Sequence, residues 1–229
     1  TLGTMSPIFK DSNKANINFK DLLSHYAGLA AGIPFYKATM DKSKFPSEVY
    51  FRKTSEEQFS KRMTDSLFIR NDFSDTIMKM IVKSKLSLKK EYKYSDLTFM
   101  ILKDYLEKTT GKTLDILIQE NFYRSLGMNN SSFNPLNKFD KNRIPPTETD
   151  TYFRRQLLQG YVNDLSAALE GGVSGHAGVF SNAMDVAKIM ELYLQKGNYG
   201  NQQYFSEKTF EDFNTCYFCA VGNRRGVGF

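Results

Sequence analysis

Tyr94-Ser95-Asp96-Leu97-Thr98-Phe99-Met100-Ile101, continued to Gly111, is the stretch on which the reading of the fold turns. Leu97, Met100, Ile101, Tyr105 and Leu106 recur at helical spacing, and Gly111 supplies a left-handed stop. A tyrosine and a carboxylate therefore stand at the turn that opens an amphipathic helix. Two roles are open for this step. Ser95 or Asp96 could simply cap the helix with Tyr94 as a hydrophobic staple, or Tyr94 and Asp96 could serve acid/base chemistry.

Helix punctuation continues on both sides. Downstream, Leu114, Leu117, Ile118 and Phe122 predict a further helix that Gly127 closes. Upstream, Asn18 can cap a short helix through Phe19, Leu22 and Leu23, with Asp21 in its first turn and its end before Gly28. Ser55-Glu56-Glu57-Gln58 reads as a capping box leading a helix through Phe59, Met63 and Leu67, and another helix is predicted from Ser74 to Lys83. Near the far end, Ser181 or Asn182 caps a helix through Val186, Ile189, Met190, Tyr193 and Leu194, with Gly197 just past it.

Between these helices, residues 129 to 157 break into Asn, Ser, Pro and charges. Pro145-Pro146 excludes helix there, so the segment is expected to be a long irregular connection. Residues 171 to 178 carry four glycines around Ser174 and His176, a density that predicts tight turns displaying an exposed polar pair. The ending Arg225-Gly226-Val227-Gly228-Phe229 reads as the start of a strand. The chain is expected to be mainly helical.

The 229 residues are 41% hydrophobic and 24% charged, a composition that argues against disorder, collagen and coiled coil. The net charge of +6 is modest and spread out, so no nucleic-acid partner is expected. The most apolar stretch, Tyr26 to Tyr36, is far shorter than the roughly 20 residues a bilayer span needs, so no transmembrane segment is expected. The densest basic run, Lys79 to Lys93, could bind anions or form a solvated face over a core stripe. Thr1-Leu2-Gly3-Thr4 lacks a Met, a basic n-region and an apolar h-region, so the chain is expected to be a piece of something longer.

Other candidate chemistry is thin. Cys216-x-x-Cys219 could be a redox pair, half of a zinc site, an incidental thiol pair or a local disulfide, but no second Cys pair or paired His completes four zinc ligands. A Ser-His-Asp triad would have to use His25 or His176. Both lie in glycine-containing turns, where hydrogen bonding to nearby backbone is the plainer role, and no Gly-x-Ser-x-Gly elbow is present.

Four ordered segments carry a family resemblance. Asn18-Phe19-Lys20-Asp21-Leu22-Leu23-Ser24-His25-Tyr26-Ala27-Gly28-Leu29 resembles the Ile-Thr-x-x-Asp-Leu-Leu-x-His-x-Ser-Gly-Leu segment of the serine β-lactamase and penicillin-binding-protein superfamily, in its class C and esterase-like branch. Tyr94-Ser95-Asp96-Leu97 through Gly111-Lys112 is similar to that family's Tyr-x-Asn element and its helix. Phe122 to Met128 is similar to its Phe-x-Pro-Leu-Gly-Met turn, and Gly171 to Ser181 with Asp185-Val186-Ala187 to its Gly-Gly-Leu-x-Ser-x-x-Asp-Leu-Ala step. Phe35-Tyr36-Lys37, Arg143 to Glu148, Gln159 to Asp164 and Arg224 to Phe229 further resemble lactamase-like domains of Bacteroidetes envelope proteins, some of them fused to a family 3 glycoside hydrolase.

The resemblance implies an α+β β-lactamase/transpeptidase-like fold, of which residues 1–229 would be a partial domain. The chain would be mainly the helical lobe, with most of the central antiparallel sheet missing, and its exposed apolar face would favour dimerisation. It implies a periplasmic or envelope serine hydrolase that acts on a D-amino-acid peptide, ester or β-lactam through an acyl-enzyme, without metal or organic cofactor. Tyr94 would be the proton shuttle, needing nearby cations to lower its pKa, and Asp96 its electrostatic partner. Asp96 replaces the family's Asn, and a carboxylate accepts hydrogen bonds but cannot donate the one an amide offers. The family's Ser-x-x-Lys nucleophile belongs upstream of the Asp-Leu-Leu segment. Ser87-Leu88-Lys89-Lys90 therefore reads as a chance match, and this chain alone is expected to be inactive. The alternative is a non-catalytic wall-binding or scaffolding domain with the same fold.

Overall fold

The computed structural model describes residues 1–228. The chain opens with α1 (Leu2–Met5) and α2 (Phe19–Leu23), then forms β1 (Phe51–Arg52), β2 (Lys61–Thr64) and β3 (Leu67–Ile69). Next come α3 (Phe73–Lys83), α4 (Leu97–Thr110) and α5 (Leu114–Ile118), the last running into a π-helical turn over Gln119–Tyr123. The second half holds β4 (Ser132–Phe133), β5 (Pro146–Asp150), β6 (Gln156–Gln159), α6 (Leu165–Leu169), β7 (Val179–Phe180), α7 (Ala183–Leu194), β8 (Asn198–Tyr199), β9 (Gln202–Gln203) and α8 (Glu207–Asn214).

The main core gathers around α3 and α4. Phe73, Ile77 and Ile81, four apart and thus on one face of α3, are buried with Leu97, Met100 and Ile101 of α4 and Leu22 of α2. The Thr98 hydroxyl donates to the Leu22 carbonyl at 3.1 Å, which fixes the start of α4 on α2. A smaller cluster of Tyr123, Leu126, Met128 and Leu192 holds α7 to the π-helical turn.

Local caps follow the sequence closely. Asn18 accepts from the Asp21 amide, and Asn182, rather than Ser181, accepts from the Asp185 amide, each at 2.8 Å. Gly111 closes α4 in the left-handed region at φ 69°. Asp185 itself turns inward, where its buried carboxylate accepts from the Asn130 amide at 2.7 Å and the Ser131 hydroxyl at 3.0 Å.

Three expectations are corrected. Residues 55 to 67 form no helix: Glu56 and Phe59 bridge a tight turn, and β2 and β3 make a hairpin that extends with β1 into a three-stranded antiparallel sheet in the order β1-β3-β2. The capping-box pattern is overridden because Met63 and Ile69 reach the core only from extended backbone across the Asp65-Ser66 turn. The connection from 129 to 157 is not wholly irregular, since β5 pairs antiparallel with β6, aligning Asp150 with Gln156, and β4 pairs with β7. Finally, residues 225–228 are not a strand: the Val227 and Gly228 amides bond to the Phe213 and Leu23 carbonyls and lay the segment over the end of α2, while Phe229 lies outside the described residues.

The largest sheet among the described residues has three strands, as a mainly helical lobe requires. The lysines at 79, 83, 85, 89, 90 and 93 are exposed while Ile81 is buried, which is a solvated face over a core stripe. Met184, Val186, Met190 and Leu194 stand exposed along α7. No helix among the described residues is long and apolar enough to cross a membrane.

Candidate active site

The turn before α4 is tied to the segment after α2 by four hydrogen bonds. The Lys93 amide donates to the His25 carbonyl at 2.9 Å, the Ser95 amide to His25 Nδ1 at 3.2 Å, the Ser95 hydroxyl to the Ala30 carbonyl at 2.6 Å, and the Asp96 amide to the Ala31 carbonyl at 3.0 Å. Neither Ser95 nor Asp96 caps the helix with its side chain, so the plain capping role drops out. The backbone of this turn is thus held without a capping bond from the Asp96 side chain.

Tyr94 is 42% exposed, with its ring 4.4 Å from the His25 ring and the Arg225 guanidinium 5.2 Å from its centroid. Arg225 Nε also donates to the Tyr92 hydroxyl at 2.9 Å. Burial and the Asp96 charge raise the Tyr94 phenol above its ordinary pKa, and Arg225 only partly opposes them. The lowered phenol pKa expected of a proton shuttle is therefore absent from this set of neighbours. Asp96 lies beside Gly32, its Oδ2 3.8 Å from where a Cβ there would sit. Burial raises the Asp96 carboxyl pKa, His176 opposes, and Asp164 adds to it.

His25 lies fully buried behind Tyr94 at a φ of 55°. Its Nδ1 accepts a backbone bond, so the proton sits on Nε2, which has no partner among the described residues. Burial first, and then the Arg225 charge, lower its pKa from 6.5 to about 4. The unfolded chain therefore takes up this proton before the folded one does. His25 contributes stability above pH 6.5 that is lost as pH falls toward 4, on the order of 2–3 kcal/mol. Urea unfolding of wild type and His25→Asn at several pH values should show this loss in wild type and a shallower one in the variant. Equal slopes would remove His25 from the acid response.

Across the start of α4 lies the glycine-rich loop. An added Cβ at Gly175 would sit 2.1 Å from the Phe99 carbonyl oxygen, so only glycine lets this loop reach the first turn of α4. Ser174 is buried, correcting the expected exposed pair. The two histidines bond otherwise than nearby backbone would suggest. His25 accepts from an amide 70 residues away, and His176 bonds side chains, with Nδ1 2.9 Å from Ser174 Oγ and Nε2 2.9 Å from Asp164 Oδ1. Ser174 donates to Glu170, which also accepts from Lys103 at 3.1 Å.

Ser87 lies in irregular backbone outside any helix, and Lys90 pairs with Asp21 at 3.3 Å. Cys216 and Cys219 form a disulfide. That loop stacks Phe218 on Tyr26, ring centroids 4.2 Å apart, and so helps place Arg225. Sequence reading missed Arg225 and the Asp164–His176 pair, whose one visible signal was a histidine set among glycines.

Residues 3–214 match the Beta-lactamase family. The chain belongs to that family. A protein of Salmonella agona, provisionally named D-alanyl-D-alanine carboxypeptidase, is 31% identical over 227 residues, covering 90% of this chain and 47% of the relative. A like-named protein of Escherichia coli K12 is 40% identical over 134 residues, covering 53% of this chain and 31% of the relative. This Beta-lactamase-family domain thus spans less than half the length of both curated relatives. Its fold matches a penicillin-binding protein from Bacillus halodurans (TM-score 0.61, 12% identity, 99% of this chain and 60% of that one). It also matches a β-lactamase/D-alanine carboxypeptidase from Pseudomonas syringae (TM-score 0.55, 14% identity, 93% and 48%). The β-lactamase/transpeptidase-like fold expected from the sequence is therefore the fold observed, over about half of each neighbour's chain.

Proposed function

We propose that the protein carrying this domain is an envelope serine hydrolase that forms an acyl-enzyme on a D-amino-acid peptide, ester or β-lactam. The observation that carries the reading is the turn before α4: four hydrogen bonds fix its backbone, while the Tyr94 phenol stays exposed and the Asp96 carboxylate makes no capping bond. The names of the carboxypeptidase relatives support a peptidoglycan-derived substrate.

In this reading a serine of a Ser-x-x-Lys segment outside residues 1–229 attacks the substrate carbonyl. Its proton passes through Tyr94 to the leaving group, and water then releases the acyl group. The lysine of that segment is the added cation that Tyr94 needs, since Arg225 alone leaves the phenol raised. Asp96 pairs with the same lysine. Because Asp96 cannot donate to a substrate carbonyl, an activated ester should be turned over more readily than an amide.

The test is to treat the full-length protein with a fluorescent penicillin or an activated ester and locate the label by mass spectrometry. A labelled serine in a Ser-x-x-Lys outside these residues supports the reading. A label on Ser87 overturns it, and no label from either probe favours a non-catalytic wall-binding domain.

A further inference from the structure

The sign of the charge on His176 follows from hydrogen-bond directions alone. The Ser174 hydroxyl has one proton, and it is given to Glu170, whose other oxygen accepts from Lys103. Ser174 Oγ can then only accept from His176, so Nδ1 carries a hydrogen. Asp164 Oδ1, which also accepts the Ala167 amide at 2.8 Å, can only accept from Nε2. With Glu170 and Asp164 as carboxylates, both ring nitrogens face acceptors, the arrangement that holds an imidazolium. With its side chain 3% exposed, this cation is shielded from solvent.

Gly175 holds the loop against the Phe99 carbonyl, within the first turn of the helix that Asp96 opens. We propose that His176 is a positioning residue for Asp96: clamped between Ser174 and Asp164, it supplies the positive charge that keeps the Asp96 carboxylate ionised and ready to pair with a cation. This rests on the reading of Asp96 as the partner of a catalytic lysine. The charged groups facing His176 are Asp164, Asp96 and Glu170, the last neutralised by Lys103, and the titratable groups facing Asp96 are His176, Asp164 and the Tyr94 phenol. Burial alone would lower the imidazole pKa, but the bond to Asp164 and the three carboxylates raise it above its ordinary value.

The test uses two readouts on the full-length protein. In NMR of the unmutated protein, both His176 ring nitrogens should be protonated at about pH 6, and a singly protonated ring there overturns the proposal. The Asp96 carboxyl titration, followed by its 13C shift, should move up by about half to one pH unit in His176→Gln. It should stay in place in Val173→Ala, which trims the same loop but bonds neither ring nitrogen of His176. An unmoved midpoint in His176→Gln, or an equal move in Val173→Ala, overturns the proposal whatever the activity. If Asp96 does serve the reaction, the acid limb of kcat/KM for an activated ester moves up in step with its midpoint. A midpoint that moves while the limb does not upholds the coupling and removes Asp96 from the reaction.

Discussion

Tyr94→Phe in the full-length protein should lower acylation by an activated ester about 10²–10⁴-fold, the loss expected when a positioned proton-transfer group is removed. The substitution deletes one hydroxyl that bonds no protein group among the described residues, and it keeps the ring against His25 and Arg225. Stability should therefore change by no more than about 0.5 kcal/mol. A large kinetic effect without a thermodynamic one is the signature of chemistry rather than packing. Single-turnover labelling measures the first and urea unfolding the second. An unchanged acylation rate would remove Tyr94 from the reaction.

Asp150→Ala should cost about 3–5 kcal/mol of folding stability, because it strands a buried guanidinium. Asp150 and Arg154 are each 1% exposed and bonded at 2.9 Å. The carboxylate also accepts the Tyr152 and Phe153 amides, at 3.0 and 2.8 Å, and the amide and guanidinium bonds hold it below the usual carboxylate range despite burial. Arg154 also donates to the Val162 and Asn163 carbonyls, each at 2.6 Å. Those carbonyls lead directly into Asp164, so the same pair holds the residue that clamps His176. Urea unfolding of Asp150→Ala, Arg154→Met and the double variant measures the effect. The double variant should lose less than the sum of the singles, because neither charge is then left alone. Additive losses would mean that the two side chains act independently.

How far the sequence carried depended on the range of the interactions. The caps at Asn18 and Asn182 and the stop at Gly111 were legible because each partner lies within one helical turn of its signal. The Ser55 pattern misled for the same reason: a local capping box was outweighed by the pairing of Phe51 with Ile69 across 18 residues, which no window of a few residues can weigh. Tyr94 and Asp96 could be named from their place before a helix and from resemblance, but what surrounds them could not.

By itself, then, the sequence determined the main helices with their caps and stops and, through four ordered segments, the family. Only the tertiary structure decided that His25 holds the Ser95 amide, that Arg225 returns over Tyr94, and that Lys103, Glu170, Ser174, His176 and Asp164 join into one hydrogen-bonded chain. The physical reason is that helix caps arise from backbone geometry over three or four residues, whereas protonation states depend on groups that meet only after the chain has closed loops of tens of residues.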